Sequence, residues 1–159
     1  MSSISPRLFR TALGNYATGI TVITALDVRG DPIGMTANSF ASVSLDPPLV
    51  LWSVDKSAPE AGDFVAAGHY AVHVLRQDQQ QLSHTFSDDS VDKFADLRID
   101  RGIGDLPLLT DYSVRLQCAT ANRHEEGDHV ILIGQVLDVQ LESADPLVFF
   151  DGAYRRLQT

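Results

Sequence analysis

The chain has 159 residues, 44% of them hydrophobic, enough for one domain (1–159) with one core, and no apolar run approaches the roughly 20 residues that a membrane span needs. A net charge of −9 sets it against nucleic acid and anionic membrane surfaces, which both select for Lys and Arg. The lone Cys118 excludes an internal disulfide, and with no apolar leader after Met1 the expectation is a cytoplasmic protein.

Ser5-Pro6 predicts a helix start, and Leu8, Phe9, Ala12, Leu13 and Tyr16 then recur at helical spacing until Gly14 or Gly19 closes the segment. That apolar face predicts a helix lying over a sheet. Ile20 to Ala25 is a β-branched strand, and Asp27-Val28-Arg29-Gly30-Asp31 is a hairpin loop. The stretch from Gly34 to Ser57, GMTANSFASVSLDPPLVLWSVDKS, reads as two strands joined at Asp46-Pro47-Pro48, where the prolines halt the ladder. In its first half Thr36, Asn38, Ser39, Ser42 and Ser44 interrupt the apolar positions Met35, Phe40, Val43 and Leu45. In its second half Leu49 to Trp52 reads as a strand buried on both faces, running into the donor-rich Ser53-Val54-Asp55-Lys56-Ser57. Small hydroxyl and amide residues let a flat ligand approach the backbone and bond its carbonyl edge or a phosphate, which makes the stretch a candidate rim for a planar, anionic cofactor. The competing reading is a β-bulge whose Ser and Thr bond to nearby backbone.

Ser57 to Gly68 reads as a helix with Phe64, Val65 and Ala67 on one side, followed by a strand from Tyr70 to Leu75. Asp78 to Phe86 is a second amphipathic helix carrying Leu82 and Phe86, Asp92 to Leu97 is a helical turn, and Gly102 to Pro107 is a loop suited to the border of a pocket. Ser113 to Asn122 and His129 to Leu141 are long strands joined by Glu125-Glu126-Gly127-Asp128, and Leu147 to Phe150 and Ala153 to Leu157 are divided by Asp151-Gly152. About seven strands with helices at the periphery predict a closed or partly closed antiparallel barrel rather than a parallel α/β sheet.

No glycine-rich dinucleotide or phosphate loop is present. His69 and His73 on one strand would stand about 13 Å apart, too far to share a metal ion. Cys118 sits mid-strand with no oxyanion donor beside it and reads as a buried thiol. The two lysines, Lys56 and Lys93, lie in polar turns where an acidic protein would place charge for a phosphorylated ligand; the alternative is two solvated surface lysines. Gly127-Asp128-His129 joins a glycine able to take positive φ, an acid able to orient an imidazole and a His at the mouth of a strand, which reads as a stacking platform or as a plain hairpin turn.

Several segments in order (Phe9 to Gly14, Ala17 to Val22, Gly34 to Phe40, Ser42 to Val50, Leu82-Ser83, Asp92-Lys93-Phe94, Pro107-Leu108-Leu109, Gly127-Asp128-His129 and Pro146 to Phe149) resemble the short-chain flavin reductase family, the reductase component of two-component flavin-dependent monooxygenases. The resemblance implies a mainly β, antiparallel Greek-key split barrel (the FMN-binding split barrel) with peripheral helices, and a homodimer with flavin near the subunit interface. It implies FMN or FAD as the flavin, NADH or NADPH as the hydride donor, and a separate monooxygenase that receives the reduced flavin. By that resemblance Thr36, Ala37, Asn38 and Ser39 hold the isoalloxazine edge and Ser53 meets the ribityl chain. Lys56, Ser57, Phe86 and Lys93 surround the phosphate, His129 lies on the nicotinamide side, and Tyr154 belongs to a segment closing over it. His73 stands where relatives often carry Asn. No catalytic acid, base or metal is expected, because hydride transfer is chemistry of the two cofactors. Two alternatives stay open: a non-catalytic flavin-binding electron carrier on the same barrel, and a pyridoxal-phosphate-related oxidase or heme-utilisation relative.

Overall fold

Helix α1 (Pro6–Gly14) starts where the sequence predicts: Ser5 is the N-cap, its Oγ accepting the Leu8 N–H at 3.4 Å, and Pro6 occupies the first turn. The structure, a computed structural model that describes residues 3–158, departs from expectation in where this helix lies. It does not cover a sheet: none of its residues is buried, and Leu8, Phe9 and Leu13 are each more than half exposed, as is Tyr16 just beyond.

Strands and helices then follow as β1 (Thr18–Gly19), β2 (Thr21–Leu26), β3 (Pro32–Ala37), β4 (Ala41–Leu45), β5 (Pro48–Asp55), α2 (Ala61–Ala66), β6 (His69–Val74) and α3 (Gln80–Ser87). The chain closes with β7 (Ile99–Arg101), β8 (Pro107–Leu109), β9 (Val114–Glu126), β10 (His129–Leu141), β11 (Val148–Phe150) and β12 (Ala153–Arg155). The stretch from Gly34 to Ser57 therefore holds three strands, not two, because the chain also turns at Asn38-Ser39-Phe40. Pro48 opens β5 rather than preceding it, at a strand start where a missing N–H is tolerated. Strand β5 buries Val50, Trp52 and Val54 while the residues between them stay less covered, so it is buried on one face rather than on both. Helix α2 is shorter than the span from Ser57 to Gly68.

Seven strands form one antiparallel sheet in the order β3-β2-β6-β9-β10-β5-β4. Laid flat, six strand spacings would part β3 from β4 by about 29 Å. Three residues, Asn38 to Phe40, join the ends of those two strands and bridge at most about 14 Å. The sheet must curl until its edges meet, and the result is a mostly β, antiparallel split barrel, as predicted. Its interior holds Ile23, Val50, Trp52, Val54, Tyr70, Val72, Leu116, Cys118 and Leu132, and α2 adds Ala61 and Phe64 to that core. Trp52 meets Phe64 and Tyr70 edge-on, with centroids 5.1 and 6.1 Å away. Burial pushes the Cys118 thiol up to about 12, which makes it inert.

A second cluster lies on the outer face of β2: Ile20, Val22, Leu75, Leu109 and Leu147, with Phe86 of α3 on top. There His73 is fully buried and satisfied at both ring nitrogens. Nδ1 lies 3.0 Å from Val22 O, which only accepts, so Nδ1 carries the proton; Nε2 accepts the Leu109 N–H at 3.1 Å. A small sheet, β1-β11-β12, fastens the C-terminal hairpin beside α1, where Asp151 N–H donates to Gly14 O at 2.9 Å. Among the described residues no helix is long and apolar enough to cross a membrane.

Candidate functional site

Strand β3 is an edge of the seven-stranded sheet, and its outward parity can be read from one bond. Gly34 O accepts from Lys93 Nζ at 2.8 Å, so it points away from β2, and the two-residue period puts the Thr36 backbone groups on the same open edge. Pro32 shares that parity, where it has no N–H to leave unpaired. Gly34 is required by close approach: a Cβ there would stand 2.8 Å from Phe86 Cδ1, closer still to Cε1, and 3.2 Å from Phe94 Cζ. The Thr36 side chain is spent on structure, its Oγ1 donating to Ser83 O of α3 at 2.7 Å. Ser83 Oγ in turn meets Tyr154 OH at 2.7 Å, and the Tyr154 ring packs edge-on against His84 and Phe149. Edge strand, helix and C-terminal hairpin are thus linked in series.

Where β3 turns into β4, Ser39 Oγ donates to Ser53 O at 3.1 Å and accepts the Ser53 N–H at 3.0 Å, continuing the β4–β5 register beyond Ala41. Of the two sequence readings of this stretch, the bonds to nearby backbone are what the structure shows. Thr36 and Ser39 do bond to backbone, and the β4–β5 register slips between Ser42 and Ser44; Asn38, by contrast, stands exposed beside the open edge. A cleft of about 500 Å3 opens at this corner, lined by Leu13, Tyr16, Thr18, Asn38, Ser39 and Phe40. Thr18 Oγ1 is buried and has no hydrogen-bond partner among the described residues. Apolar walls and a few amide and hydroxyl groups in a space of this size suit a flat ring with a polar rim, and the residues present fit a flavin; of those expected to hold it, Asn38 and Ser39 line this cleft, whereas Thr36, Ala37, Ser53, Lys56, Ser57, His129 and Tyr154 do not.

At the far end of β5, Lys56 N–H donates to Asp128 O at 2.9 Å, which holds the tip of the β9–β10 hairpin against it. That hairpin turns on two residues, Gly127 at φ +60° and Asp128. Asp128 Oδ1 accepts from His129 Nδ1 at 2.7 Å, so the acid orients the ring as its position suggested, and Nε2 is left without a partner among the described residues. Lys56 Nζ, exposed, stands 3.6 Å from Glu125 Oε2, a pair worth little in water. Ser57 differs: its N–H and hydroxyl both donate to Asp55 Oδ1 at 2.8 Å, which holds the Asp55 carboxyl below its ordinary range.

Two residues expected around a phosphate are buried. Phe86 is 1% exposed, pressed onto Gly34 and edge-on to Phe94 at 5.2 Å, so it is core and offers no wall to a ligand. Lys93 is buried with its ammonium on Gly34 O, Glu60 Oε2 (3.3 Å) and Asp89 Oδ1 (3.1 Å). Of the residues the sequence reading passed over, Asp89 had a visible signal, its four-residue spacing from Lys93. Glu60 and Thr18 had none, since only the fold brings them to these places.

A family model described as Flavin reductase like domain matches residues 13–158. The chain belongs to the flavin reductase family. It is 47% identical over 150 residues to FMN reductase (NADH) SmoA of Agrobacterium fabrum, covering 94% of this chain and 85% of that protein. The reductase component of the flavin-dependent trigonelline monooxygenase of Acinetobacter baylyi is 39% identical over 148 residues, but this chain spans only 48% of it. Among solved structures, flavin reductase PheA2 in its native state superposes with a TM-score of 0.89 at 40% identity, covering 98% of this chain and 100% of that one. The NADH:FAD oxidoreductase SgcE6 of Streptomyces globisporus, in complex with NAD and FAD fragments, superposes with a TM-score of 0.89 at 35% identity, covering 99% of this chain and 98% of that one.

Proposed function

We propose that this member of the flavin reductase family is an NAD(P)H:flavin oxidoreductase that supplies reduced FMN or FAD to a separate monooxygenase. The observation that carries the reading is the corner cleft between the Asn38–Phe40 linker and the segment from Tyr16 to Gly19. The bound flavin supplies the redox chemistry, accepting a hydride from the nicotinamide. The chain's part is to bind and orient. Thr36, Ala37, Asn38 and Ser39 line the ring's polar edge, Ser53 lies beneath the linker, and Lys56 with Ser57 lies at the end where a phosphate would fall. His129, oriented by Asp128, and Tyr154, fixed by Ser83, bound the nicotinamide side. Holding donor and acceptor at about 3–3.5 Å is worth several kcal/mol and needs no catalytic acid.

Purified protein given NADH and a molar excess of free FMN is expected to oxidise many equivalents of NADH, whereas a carrier would stop after one. His129→Ala should raise the KM for NADH roughly tenfold, the scale of one lost charged or aromatic contact, and leave the flavin Kd unchanged. An unaltered NADH dependence would remove His129 from the donor site.

The working unit in this reading is a homodimer in the cytoplasm. Leu8, Phe9, Leu13 and Tyr16, with Leu45 at 96% exposure, are large apolar side chains left open, and a second copy would cover them. Sedimentation should give twice the 17.3 kDa chain mass; a monomer at micromolar concentration would refute the dimer.

A further inference from the structure

We propose that Lys93 is a positioning residue: with Glu60 and Asp89 it forms a buried ion-pair clamp that fixes the ligand-facing edge of β3, and it makes no bond to the flavin phosphate. An ammonium has three N–H donors, and three acceptors meet this one: Gly34 O at 2.8 Å, Asp89 Oδ1 at 3.1 Å and Glu60 Oε2 at 3.3 Å. The acceptors come from three segments, namely β3, the β5–α2 connection and the loop after α3, and the Lys93 side chain is 6% exposed. A buried cation so paired holds its neighbours in register, because moving any one of them strands a charge. Glu60 carries the strain of that burial: desolvation pushes its carboxyl above the ordinary range although Lys93 pulls the other way.

The surroundings are wrong for a phosphate. The small cleft of about 180 Å3 beside Lys93 is lined by Glu60, Asp89 and Asp92 as well as Pro32, Val91 and Phe94, so three acidic residues border it, two of them in contact with the ammonium. What the clamp does hold is the Gly34 carbonyl, two residues along the open edge from Thr36, with Phe86 closing the same residue from its side-chain face. The clamp therefore sets where the Thr36 backbone groups stand. This inference rests on the reading that a flavin ring lies along that edge.

Riboflavin has the same ring as FMN but no phosphate, and titrating both separates the two roles. In Lys93→Met the Kd values for FMN and riboflavin are expected to rise together, by about tenfold, with their ratio unchanged from the unsubstituted protein. A loss confined to FMN would make Lys93 a phosphate ligand and overturn the proposal, as would no change in either. Asp89→Asn, at the more exposed partner, keeps the comparison available if Lys93→Met does not fold: a smaller parallel loss supports the clamp, while unchanged affinities or a gain for FMN alone overturn it. If the unsubstituted protein binds neither flavin, it is the flavin reading that fails rather than the clamp.

Discussion

Gly34→Ala is expected to lower the unfolding free energy by about 2–3 kcal/mol, the upper range for overpacking a filled site, and to abolish measurable flavin binding. The added methyl has nowhere to go. It would press on the Phe86 ring, which is itself 1% exposed and wedged edge-on against Phe94 at 90°. Either α3 backs away, breaking the Thr36 Oγ1 bond to Ser83 O, or β3 shifts outward and takes Gly34 O from Lys93. Both responses displace the open edge of β3, which runs into the Asn38–Phe40 linker that lines the cleft. Urea unfolding reads the first effect as a lower midpoint at unchanged slope, and fluorescence titration with FMN reads the second. A variant with an unchanged midpoint and Kd would show that α3 is not packed onto this residue as described.

The second large effect is a loss of stability in mild acid that traces to one side chain. Desolvation drives His73 down from 6.5 to about 3; the Val22 carbonyl opposes this and the nearby Arg115 charge reinforces it. Protonation would also place an Nε2–H against the Leu109 N–H, donor to donor. The native chain therefore keeps His73 neutral while the unfolded chain protonates below about 6.5, so the contribution is intact above that value and drains away as pH falls towards 3. Over the whole window this amounts to at most about 5 kcal/mol at 1.36 kcal/mol per pKa unit. His69, His84, His124 and His129 are all partly or fully exposed. Between pH 6.5 and 4.5 His73 should give the curve of stability against pH a rising slope, while Glu60, whose carboxyl is held above its ordinary range, pulls that slope the other way. His73→Asn should flatten it while costing about 1–3 kcal/mol at pH 7, because the shorter amide cannot satisfy both Val22 O and Leu109 N–H. An equal slope in that variant would refute the assignment.

Much of the fold was legible because its signals are local. Ser5-Pro6 sets a helix start by capping, Gly127-Asp128 and Asp151-Gly152 set two-residue turns, and alternation marks the long strands that the first of these turns joins. The turn at Asn38-Ser39-Phe40 escaped notice since its polar residues continue the irregular pattern on either side, and only the meeting of two distant sheet edges explains it. Helix α1 misled in the opposite way. Its apolar stripe is real, but periodicity says that a face wants covering and not by what. At the site, residue types suggest a planar ligand, whereas the burial of Phe86 and Lys93 and the arrival of Glu60 are not legible in the sequence because they are products of tertiary structure.

The meeting of β3 and β4 has a consequence for solubility. A sheet's outer strands display unpaired backbone groups that invite other chains to add on, and closed barrels escape the hazard by having no such strands. Here the curl stops short of closure, and the linker that joins the two unpaired margins, Asn38 to Phe40, borders the cleft that we assign to the cofactor. Pro32 and the ammonium held on Gly34 blunt the β3 margin against aggregation while leaving Thr36 and Asn38 open. The opening that lets a ring enter edgewise is thus guarded at its ends, and an occupant would complete the protection each time it binds.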